Sequence, residues 1–405
     1  MSEAPPDEAP LSFFLVAGEP SGDVLGARLM GGLRALAGDR VRFAGVGGER
    51  MEAAGLASVF PLEDIAVMGL LQVVPRLPVV LRRIRDTVAA IAAAQPDAVV
   101  TIDAPSFTLR VARRARRAGA TVVHYVAPQY WAWRPGRLRK LPQKVDHLMA
   151  LFPFEPAFFA RGTVPTTYVG HPAIEQVRAG DAAGFRARHG VAADARVVAV
   201  LPGSRAHLVE RMLPIFAATI ARVAQGRRLH IVIPTLVARR ARIVAAVAGW
   251  PVPVTIVDAG MDAGADRRDG LAAAEAALTV SGTITTELAV LGLPMVVGYR
   301  VDELSARLVR PLITVKYAAM PNLILGRDVV PELIQWDCTA ERLAAALARL
   351  LDDPAAAAAQ RGGLDEVARA LGAGGESPSL RAARVVLEVA RHARAARISA
   401  LAAHV

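Results

Sequence analysis

The chain has 405 residues, 53% of them hydrophobic and 21% charged, which excludes a disordered or collagen-like polymer. Its length is two to three times that of a typical domain of about 150 residues, so two domains that share a cleft are expected. The 48 basic and 37 acidic residues give a net charge of +11. This charge indicates an anionic partner, such as phosphates, nucleic acid or an acidic membrane, unless a GC-rich genome accounts for the arginines.

The first half of the chain predicts alternating strands and helices. Apolar runs typical of buried strands lie at residues 11–17, 41–44, 98–102 and 121–126, and helical patterns lie at 24–37, 79–94 and 107–118. Strands that are separated by helices indicate a parallel, doubly wound sheet.

The second half repeats this plan after a stretch rich in Ala, Gly, Arg and Asp at 170–196. Strands are predicted at 197–201, 229–233, 254–257, 277–280 and 295–297, helices at 208–224, 237–248 and 285–291, and mostly helix from 339 onward. We therefore predict an α/β fold of two Rossmann-like, doubly wound parallel-sheet domains that face a cleft, with a helical C-terminal tail. The expected boundaries are 1–176 for the first domain, 177–195 for a linker, 196–365 for the second domain and 366–405 for helices that pack back on the first.

The cysteine content and the opening residues indicate the compartment of the chain. The single cysteine, Cys338, excludes a disulfide framework and a multi-cysteine metal site. Residues 1–10 lack the plan of a signal peptide, and no uninterrupted apolar run reaches ~18 residues. We expect a cytoplasmic chain without a membrane span.

Ligands of doubly wound sheets lie beyond the carboxyl ends of strands, so the residues that follow each strand are candidates for the site. After the first strand, a glycine-bearing turn with Ser21 and Gly22 leads into a helix whose free N–H groups suit an anion or a sugar oxygen. Ser21 or Asp23 as a simple helix cap is the alternative.

Asp103 directly follows the strand predicted at 98–102. Because a lone carboxylate is costly to bury, Asp103 must cap a helix or face a cleft, where it could accept a proton from a sugar hydroxyl.

Two loops of the second half could bind phosphate. Gly203, Ser204 and Arg205 follow the strand at 197–201, and together they could hold a diphosphate at a helix start; a surface arginine is the alternative. The second loop follows the strand at 277–280 and offers hydroxyls and backbone amides at a helix start. Its candidate residues are Ser281, Gly282, Thr283, Thr285 and Glu287. Glu287 could bind a ribose diol, or the loop could be a capping box.

Residues 65–85 combine apolar and basic side chains in a way that suits a membrane surface, with core packing as the alternative. The predicted lipid contacts are Met68, Leu70, Leu71, Val73, Val74, Arg82, Arg83 and Arg85. Residues 129–144 gather two tryptophans beside cations, which could stack on nucleic-acid bases or face a membrane or a phosphosugar. No RRM, KH or zinc signature supports the nucleic-acid interpretation.

Metal and cofactor binding are not predicted. The histidines at 124, 171, 207 and 230 are isolated, and no D-x-D sequence occurs. This pattern counts against a sugar-nucleotide enzyme in which a divalent ion holds the diphosphate, so positively charged side chains would have to do that work.

Eleven motifs, in order, give the chain its resemblance to the lipid-A-disaccharide synthase family over about residues 13–350. They are VAGEPSGD, FAGVGGERM, DIAVMGLLQVV, TIDAPSF, HYVAPQYWAWR, FPFEPAFF, YVGHP, LPGSR, SGTITTELA, PMVVGYR and MPNLILGR. Each motif is weakly specific, but the ordered set is highly specific. The resemblance implies an inverting glycosyltransferase of the two-Rossmann GT-B architecture that needs neither metal nor cofactor. It also implies a peripheral protein on the cytoplasmic face of the inner membrane.

The reaction that the resemblance implies joins UDP-2,3-diacylglucosamine to 2,3-diacylglucosamine 1-phosphate (lipid X). Its products are UDP and a β-1,6-linked disaccharide 1-phosphate, the lipid A precursor. The expected partners are these two substrates and the anionic surface of the inner membrane, without nucleic acid; a homo-oligomer is left open.

Carried over to this chain, the resemblance makes Asp103 the general base and Arg205 the residue that binds the leaving diphosphate. The loop 281–287 corresponds to the UDP site, Ser21 lies in the matching turn, and Asn322 lies in a matching functional segment. The chain departs from the family's usual IDAPDFN at Ser106 and Thr108, so the roles of those two family side chains are open here.

Other functions stay open at this point. The alternative enzymes are another UDP-sugar GT-B transferase and a UDP-sugar epimerase, which would change the UDP-sugar without lipid X. The non-enzymatic alternatives are a two-domain binding protein and a nucleic-acid-binding module, for which tight, salt-dependent RNA binding without catalysis would be the sign.

Overall fold

The computed structural model describes residues 10–65, 70–133, 135–177, 179–259, 264–303, 306–307 and 310–403. The chain divides into two compact units, Met1–Pro172 with Gly374–Val405, and Ala173–Ala373. Within the described residues, each unit contains one six-stranded parallel sheet. The predicted α/β fold with two parallel sheets is confirmed.

The first unit has the sheet order β2-β1-β3-β4-β5-β6, so the strand order reverses between β1 and β3. Its strands are β1 (Leu11–Ala17), β2 (Val41–Val46), β3 (Ala98–Ile102), β4 (Val122–Tyr125), β5 (His147–Ala150) and β6 (Thr166–Tyr168). Its helices are α1 (Pro20–Ala37), α2 (Glu49–Ala53), α3 (Leu70–Ala94), α4 (Thr108–Arg117), α5 (Tyr130–Trp133), α6 (Glu155–Ala160) and the final helix of the chain, α16 (Pro378–Ala402). Short 3-10 helices lie at Leu62–Asp64 and Pro135–Lys140.

The second unit has the order β12-β11-β10-β7-β8-β9, with its reversal between β10 and β7. Its strands are β7 (Arg196–Leu201), β8 (Leu229–Thr235), β9 (Val254–Asp258), β10 (Ala276–Thr279), β11 (Met295–Tyr299) and β12 (Glu332–Ile334). Its helices are α7 (Ala173–Gln176), α8 (Ala182–Arg188), α9 (Ala206–Val223), α10 (Val237–Val247), α11 (Gly264–Ala273), α12 (Thr283–Val290), α13 (Met320–Leu325), α14 (Ala340–Asp352) and α15 (Pro354–Ala370). Short 3-10 helices lie at Arg310–Leu312 and Gln335–Asp337.

Helices cover both faces of a doubly wound sheet, so its central strands need continuous rather than alternating apolar runs. All five residues of β3 are buried, and so are the last five residues of β7. In the first unit, Val16 of β1 pairs with Thr101 of β3, and both are fully buried. The loops that follow β1, β3, β7 and β10 therefore begin from strands at the centre of each sheet.

Residues 177–195, predicted as a linker, include helix α8. Asp181 caps this helix, because its carboxylate accepts a hydrogen bond from the Gly184 N–H at 2.8 Å. Phe185 on α8 is fully buried in an apolar cluster with Val197 of β7 and Val232 of β8. The helix is therefore part of the second unit's core.

The final helix α16 packs on α1 in the first unit. Gly32 permits the close approach, since a Cβ there would lie 2.7 Å from the Ser379 carbonyl oxygen. Arg394 and Arg397 on α16 bind the buried carboxylate of Asp97, with nitrogen–oxygen distances of 2.5 and 2.6 Å. No helix in the described part of the chain combines the length and apolar character that crossing a membrane requires.

Candidate functional site

The predicted site loops of the first unit follow neighbouring strands. Strands β1 and β3 are parallel and paired, so the turn with Ser21 and the turn with Asp103 lie at the same edge of the sheet. A Cβ on Gly18 would lie only 2.5 Å from the Ala104 Cβ, which shows that the two turns are in contact. This edge is the point of strand-order reversal, where doubly wound sheets bind ligands.

Asp103 begins a strained turn directly after β3. Its φ is +49° and that of Ala104 is +40°, a left-handed conformation that residues with a Cβ rarely adopt. Surrounding hydrogen bonds hold the turn. The Asp103 N–H donates to the Tyr125 carbonyl at 2.9 Å, and the Thr108 hydroxyl donates to the carbonyls of Asp103 and Ala104.

The environment of Asp103 favours its neutral form. Burial raises the pKa of the half-buried Asp103 carboxyl above its ordinary value, although a hydrogen bond from the Ala104 backbone opposes the change. A raised pKa makes the carboxylate a stronger base near neutral pH.

The two departures from the family motif have different surroundings. Thr108 is fully buried and its hydroxyl holds the Asp103 turn, whereas Ser106 is exposed. A threonine at 108 can therefore fix the conformation of the turn through its hydroxyl.

The remaining polar groups of the first turn differ in role. Ser21 is exposed in the first turn of α1, and a Cβ on the buried Gly22 would lie 3.4 Å from the Ile102 carbonyl oxygen. Asp23 instead caps α2: its carboxylate accepts hydrogen bonds from the N–H groups of Gly48, Arg50 and Met51 at 2.8, 3.0 and 3.0 Å. It joins the loops that follow β1 and β2.

The second unit brings its two predicted phosphate loops together in the same way. Strands β7 and β10 are paired, and the Val280 N–H donates to the Leu201 carbonyl at 3.1 Å. Gly203 has a φ of +103°, and a Cβ there would lie 2.9 Å from Leu208 and 3.4 Å from Val280. Only glycine fits this turn without displacing its neighbours.

Ser204 and Arg205 are exposed at the start of α9, where Arg205 is the N-cap residue. The Arg205 guanidinium has no hydrogen-bond or ion-pair partner among the described residues. A free guanidinium beside unpaired helix N–H groups is suited to an anion.

The loop after β10 is held by its own hydroxyls. Gly282 has a φ of +153° and is the N-cap of α12; the Thr285 hydroxyl donates to its carbonyl at 2.8 Å. Ser281 donates to the Ala318 carbonyl at 2.7 Å, while Thr283 is exposed. The loop therefore has a fixed shape with exposed backbone at its tip.

Glu287 lies in an ion pair that the sequence pattern did not reveal. The Arg267 guanidinium on α11 lies 2.6 Å from its carboxylate, and both side chains are about one quarter exposed. Arg267 belongs to a charged helix 20 residues earlier, and such a helix carries no local signal of a site.

Asn322 is fully buried, and its amide is saturated. Its oxygen accepts from the N–H groups of Val329 and Val330 at 2.7 and 2.8 Å. Its nitrogen donates to the Val330 carbonyl at 2.9 Å and to Glu332 at 2.7 Å. An amide has two donors and two acceptor sites, so Asn322 supports its loop and has no free group to offer a ligand directly.

Glu332 connects this support to the loop that follows β10. Its carboxylate accepts from the N–H groups of Ala318 and Ala319 at 2.8 and 3.0 Å, and the Ala318 carbonyl accepts from Ser281. Hydrogen bonds thus connect Asn322 to Ser281 through Glu332 and Ala318.

The predicted lipid-contact residues divide into three groups. Met68 lies outside the described residues, and so do the side chains of Leu70, Leu71, Val73 and Val74. Arg82 and Arg85 are exposed on α3. Arg83 is bound within the protein, because its guanidinium donates to Asp64 at 2.8 Å and to Asp86 at 3.0 Å.

Two histidines of the first unit, His124 and His171, are buried. Burial lowers the pKa of His124 to about 3 and that of His171 to about 4. No group of three or more His, Cys, Asp or Glu side chains in the described ranges is arranged to hold a metal ion.

Comparison with solved structures gives the fold. The chain is similar to a UDP-GlcNAc 2-epimerase of Neisseria meningitidis, bound to UDP-GlcNAc, with a TM-score of 0.62 and 12% identity over 93% of this chain and 99% of that one. It is also similar to MurG of Acinetobacter baumannii, with a TM-score of 0.55 and 14% identity over 95% and 100% of the two chains. At such low identities the likeness shows a GT-B fold only.

Comparison of sequences gives the family. The model of the family described as lipid-A-disaccharide synthetase matches residues 13–377. A lipid-A-disaccharide synthase of Rhodospirillum centenum is 50% identical over 385 residues, which are 94% of this chain and 95% of that protein. Because both matches extend over nearly all of its length, the chain belongs to the lipid-A-disaccharide synthase family.

Proposed function

We propose that the two strand-order reversals carry the reaction of the family, one for the acceptor and one for the nucleotide. The chain is a glycosyltransferase of lipid A biosynthesis. It transfers 2,3-diacylglucosamine from its UDP derivative to 2,3-diacylglucosamine 1-phosphate, with inversion, and releases UDP. The placement of Asp103 on a strained, half-buried turn at the first reversal is the observation that carries the assignment of residues.

In this mechanism Asp103 is the general base. Its carboxylate removes the proton from the acceptor's 6-hydroxyl as that oxygen attacks the anomeric carbon of the donor. The bond between the anomeric carbon and the diphosphate oxygen breaks on the opposite side, and a single displacement gives inversion. The raised pKa of Asp103 supports this role, because a carboxylate with a higher pKa is a more effective general base.

The second reversal is proposed to hold UDP. Arg205 and the start of α9 lie beside the loop 281–287, so positive charge from a guanidinium and from two helix N-termini converges on one region. Ser204 and Thr283 are exposed there as donors. Glu287 is proposed to bind the ribose, with Arg267 fixing the orientation of its carboxylate. Negative charge on the departing UDP is then balanced by protein groups.

The membrane is the proposed location of the acyl chains. Leu77, Val79 and Leu81 on α3 are 41, 41 and 38% exposed, and exposed aliphatic side chains beside arginines suit an interfacial contact. We place the chain as a peripheral protein on the cytoplasmic face of the inner membrane.

Mass spectrometry of products from UDP-2,3-diacylglucosamine and lipid X, with and without EDTA, tests the proposal. We expect a disaccharide phosphate under both conditions, because protein cations rather than a divalent ion are proposed to bind the diphosphate. Loss of product in EDTA would contradict the assignment to Arg205 and the helix starts. Conversion of the UDP-sugar without lipid X would indicate an epimerase instead.

A further inference from the structure

Helix α4 presents a row of arginines to solvent. Arg110, Arg113, Arg114 and Arg117 are all exposed, and their spacing of i, i+3, i+4 and i+7 puts them on one face of the helix. Val111, Ala112 and Ala115 lie on the opposite, buried face. The helix contains no acidic residue.

This row lacks a paired counter-charge among the described residues. None of the four guanidiniums has a hydrogen-bond or ion-pair partner in the described parts of the chain, whereas the neighbouring Arg116 lies 2.8 Å from Asp146. Like charges four residues apart, as in Arg110 with Arg114 and Arg113 with Arg117, destabilise a helix. The helix dipole compensates only near the C-terminus. An external anion would remove the rest of this repulsion.

More basic residues lie next to the row. Arg137, Arg139 and Lys140 are exposed on the 3-10 helix Pro135–Lys140. Burial lowers the pKa of Lys144, and the nearby charges of Arg137, Arg113 and Lys140 lower it further. The two groups of cations are therefore close enough to act as one surface.

The apolar part of this surface is on α3, which packs against α4. Leu77, Val79 and Leu81 are exposed on α3, while Arg83 of the same helix is paired with Asp64 and Asp86. The two helices thus divide the properties of an interfacial surface, with aliphatic side chains on α3 and unpaired charge on α4.

We propose that the exposed face of α4, with Arg137, Arg139 and Lys140, binds the anionic headgroups of a lipid bilayer. The inference rests on the proposed function only in taking a membrane as the partner. A bilayer fits better than nucleic acid because aliphatic side chains enter lipid but do not stack on bases. The proposed electrostatic contact on α4 is additional to the exposed Arg82 and Arg85 of α3.

Sedimentation with vesicles of phosphatidylcholine and phosphatidylglycerol tests this proposal. In the test variant Arg110, Arg113, Arg114 and Arg117 are all replaced by Gln. The control replaces four exposed arginines of α10, α15 and α16 by Gln, namely Arg240, Arg361, Arg369 and Arg391, and loses the same charge. Because each basic residue near an anionic surface strengthens binding about five-fold, the α4 variant should bind roughly 100-fold more weakly or worse at low salt.

The control should bind the vesicles like the wild-type chain, and a variant with Lys at the four α4 positions should retain binding, since a point charge suffices. Equal binding by the α4 variant and the wild type would overturn the proposal, as would equal weakening in both Gln variants. If the Gln variant of α4 fails to fold, the Lys variant and release of the wild type by salt still test the charge. Displacement of vesicles by poly(U) RNA that depends on α4 would favour nucleic acid.

Disaccharide formation from detergent-dispersed substrates keeps this test separate from the proposed function. An active α4 variant that no longer binds vesicles supports both proposals. An inactive wild-type chain would contradict the proposed reaction and leave the vesicle result intact.

Discussion

At the scale of single residues, the site depends on how Asp103 is held. Asp103 has a left-handed backbone conformation and a half-buried side chain, and its carbonyl accepts a hydrogen bond from the Thr108 hydroxyl. Strain of this kind persists only where neighbouring contacts maintain it. Substitutions that release the turn should therefore affect catalysis without removing the proposed base itself.

The pH dependence of turnover should report the environment of Asp103. A base must be ionised to act, so kcat/KM should fall as the pH falls through the Asp103 pKa, which burial places above the ordinary 3.8. Asp103→Asn should abolish turnover and leave UDP binding intact, as measured by product assay and calorimetry. Turnover that stays constant down to the ordinary value, or an active Asn variant, would remove Asp103 from the base role.

Gly18 is a second position at which a single side-chain atom would change the geometry of the Asp103 turn. In Gly18→Ala the new Cβ would lie 2.5 Å from the Ala104 Cβ, so the Asp103 turn must shift. Because small misplacement of a catalytic group can cost up to about 100-fold, kcat should fall at least roughly ten-fold. Gly31→Ala is the matched control, since its Cβ meets nothing within 4 Å. Equal kcat in the two variants would show that the turn tolerates displacement.

At the scale of elements, individual side chains fasten whole helices. Asp97 binds α16 through two arginines and also accepts from the Ser12 N–H at 2.8 Å. Glu155 lies 1% exposed at the start of α6, where it accepts from Trp131 Nε1 and from the N–H groups of Leu151 and Phe152. Their pKa changes have opposite directions, so their effects on stability oppose each other with pH.

Asp97→Asn should reduce the free energy of unfolding by about 3 kcal/mol, because two arginines lose their buried partner. Although burial alone would raise the pKa of Asp97, the hydrogen bonds and charges of Ser12, Arg394 and Arg397 hold it below 3.8. Its stabilisation is therefore present above pH 3.8 and is lost as the pH falls through the lower folded-state value. Urea unfolding measures this effect, with the exposed Asp39→Asn as control. Equal stability of both variants would mean that α16 needs no ionic attachment.

Glu155 should give the reverse pH dependence. Burial raises its pKa from 4.5 to about 7, against the opposing hydrogen bonds from Trp131, Phe152 and Leu151. Relative to Glu155→Gln, the wild-type chain should lose about 3 kcal/mol of unfolding free energy as the pH rises from 4.5 to 7. A pH-independent difference in denaturant midpoint between the two proteins would contradict the raised pKa.

At the scale of the whole molecule, each of the two sheets places its predicted site loops at the reversal of its strand order. The β1–β3 and β10–β7 edges carry the polar loops, and the rest of each sheet is support. A ligand that binds only the folded chain at such an edge stabilises it by an amount that grows with the logarithm of ligand concentration above the dissociation constant.

UDP should therefore raise the Tm of the wild-type chain. At about 100 times the dissociation constant the stabilisation is about 2.7 kcal/mol. Arg205→Ala should reduce the shift strongly because it removes a cation from the proposed diphosphate site. Arg211→Ala on the same helix, α9, is an exposed control that should keep the shift. An unchanged shift in Arg205→Ala would count against the assignment.

Sequence patterns predicted the family and the α/β architecture, and both are confirmed. They succeed because buried parallel strands need continuous apolar runs, as in β3 and β7. They missed the strands β5, β6 and β12, which have only three or four residues and are too short to show a period. They also missed the helix α8 inside the predicted linker. The roles of Thr108 and Arg267 could not be predicted either, because they depend on contacts with groups that the local sequence does not specify.

The hydrogen bonds from Asn322 through Glu332 and Ala318 to Ser281 matter for anyone who wishes to alter the enzyme's choice of nucleotide sugar. Residues that face a ligand are the usual positions for randomisation. Here the loop after β10 takes its shape from a carboxylate on β12 that is itself held by a buried amide. A library that varies Ser281 or Thr283 while retaining Asn322 and Glu332 would explore new side chains on an intact frame, whereas changing the frame would confound shape with chemistry.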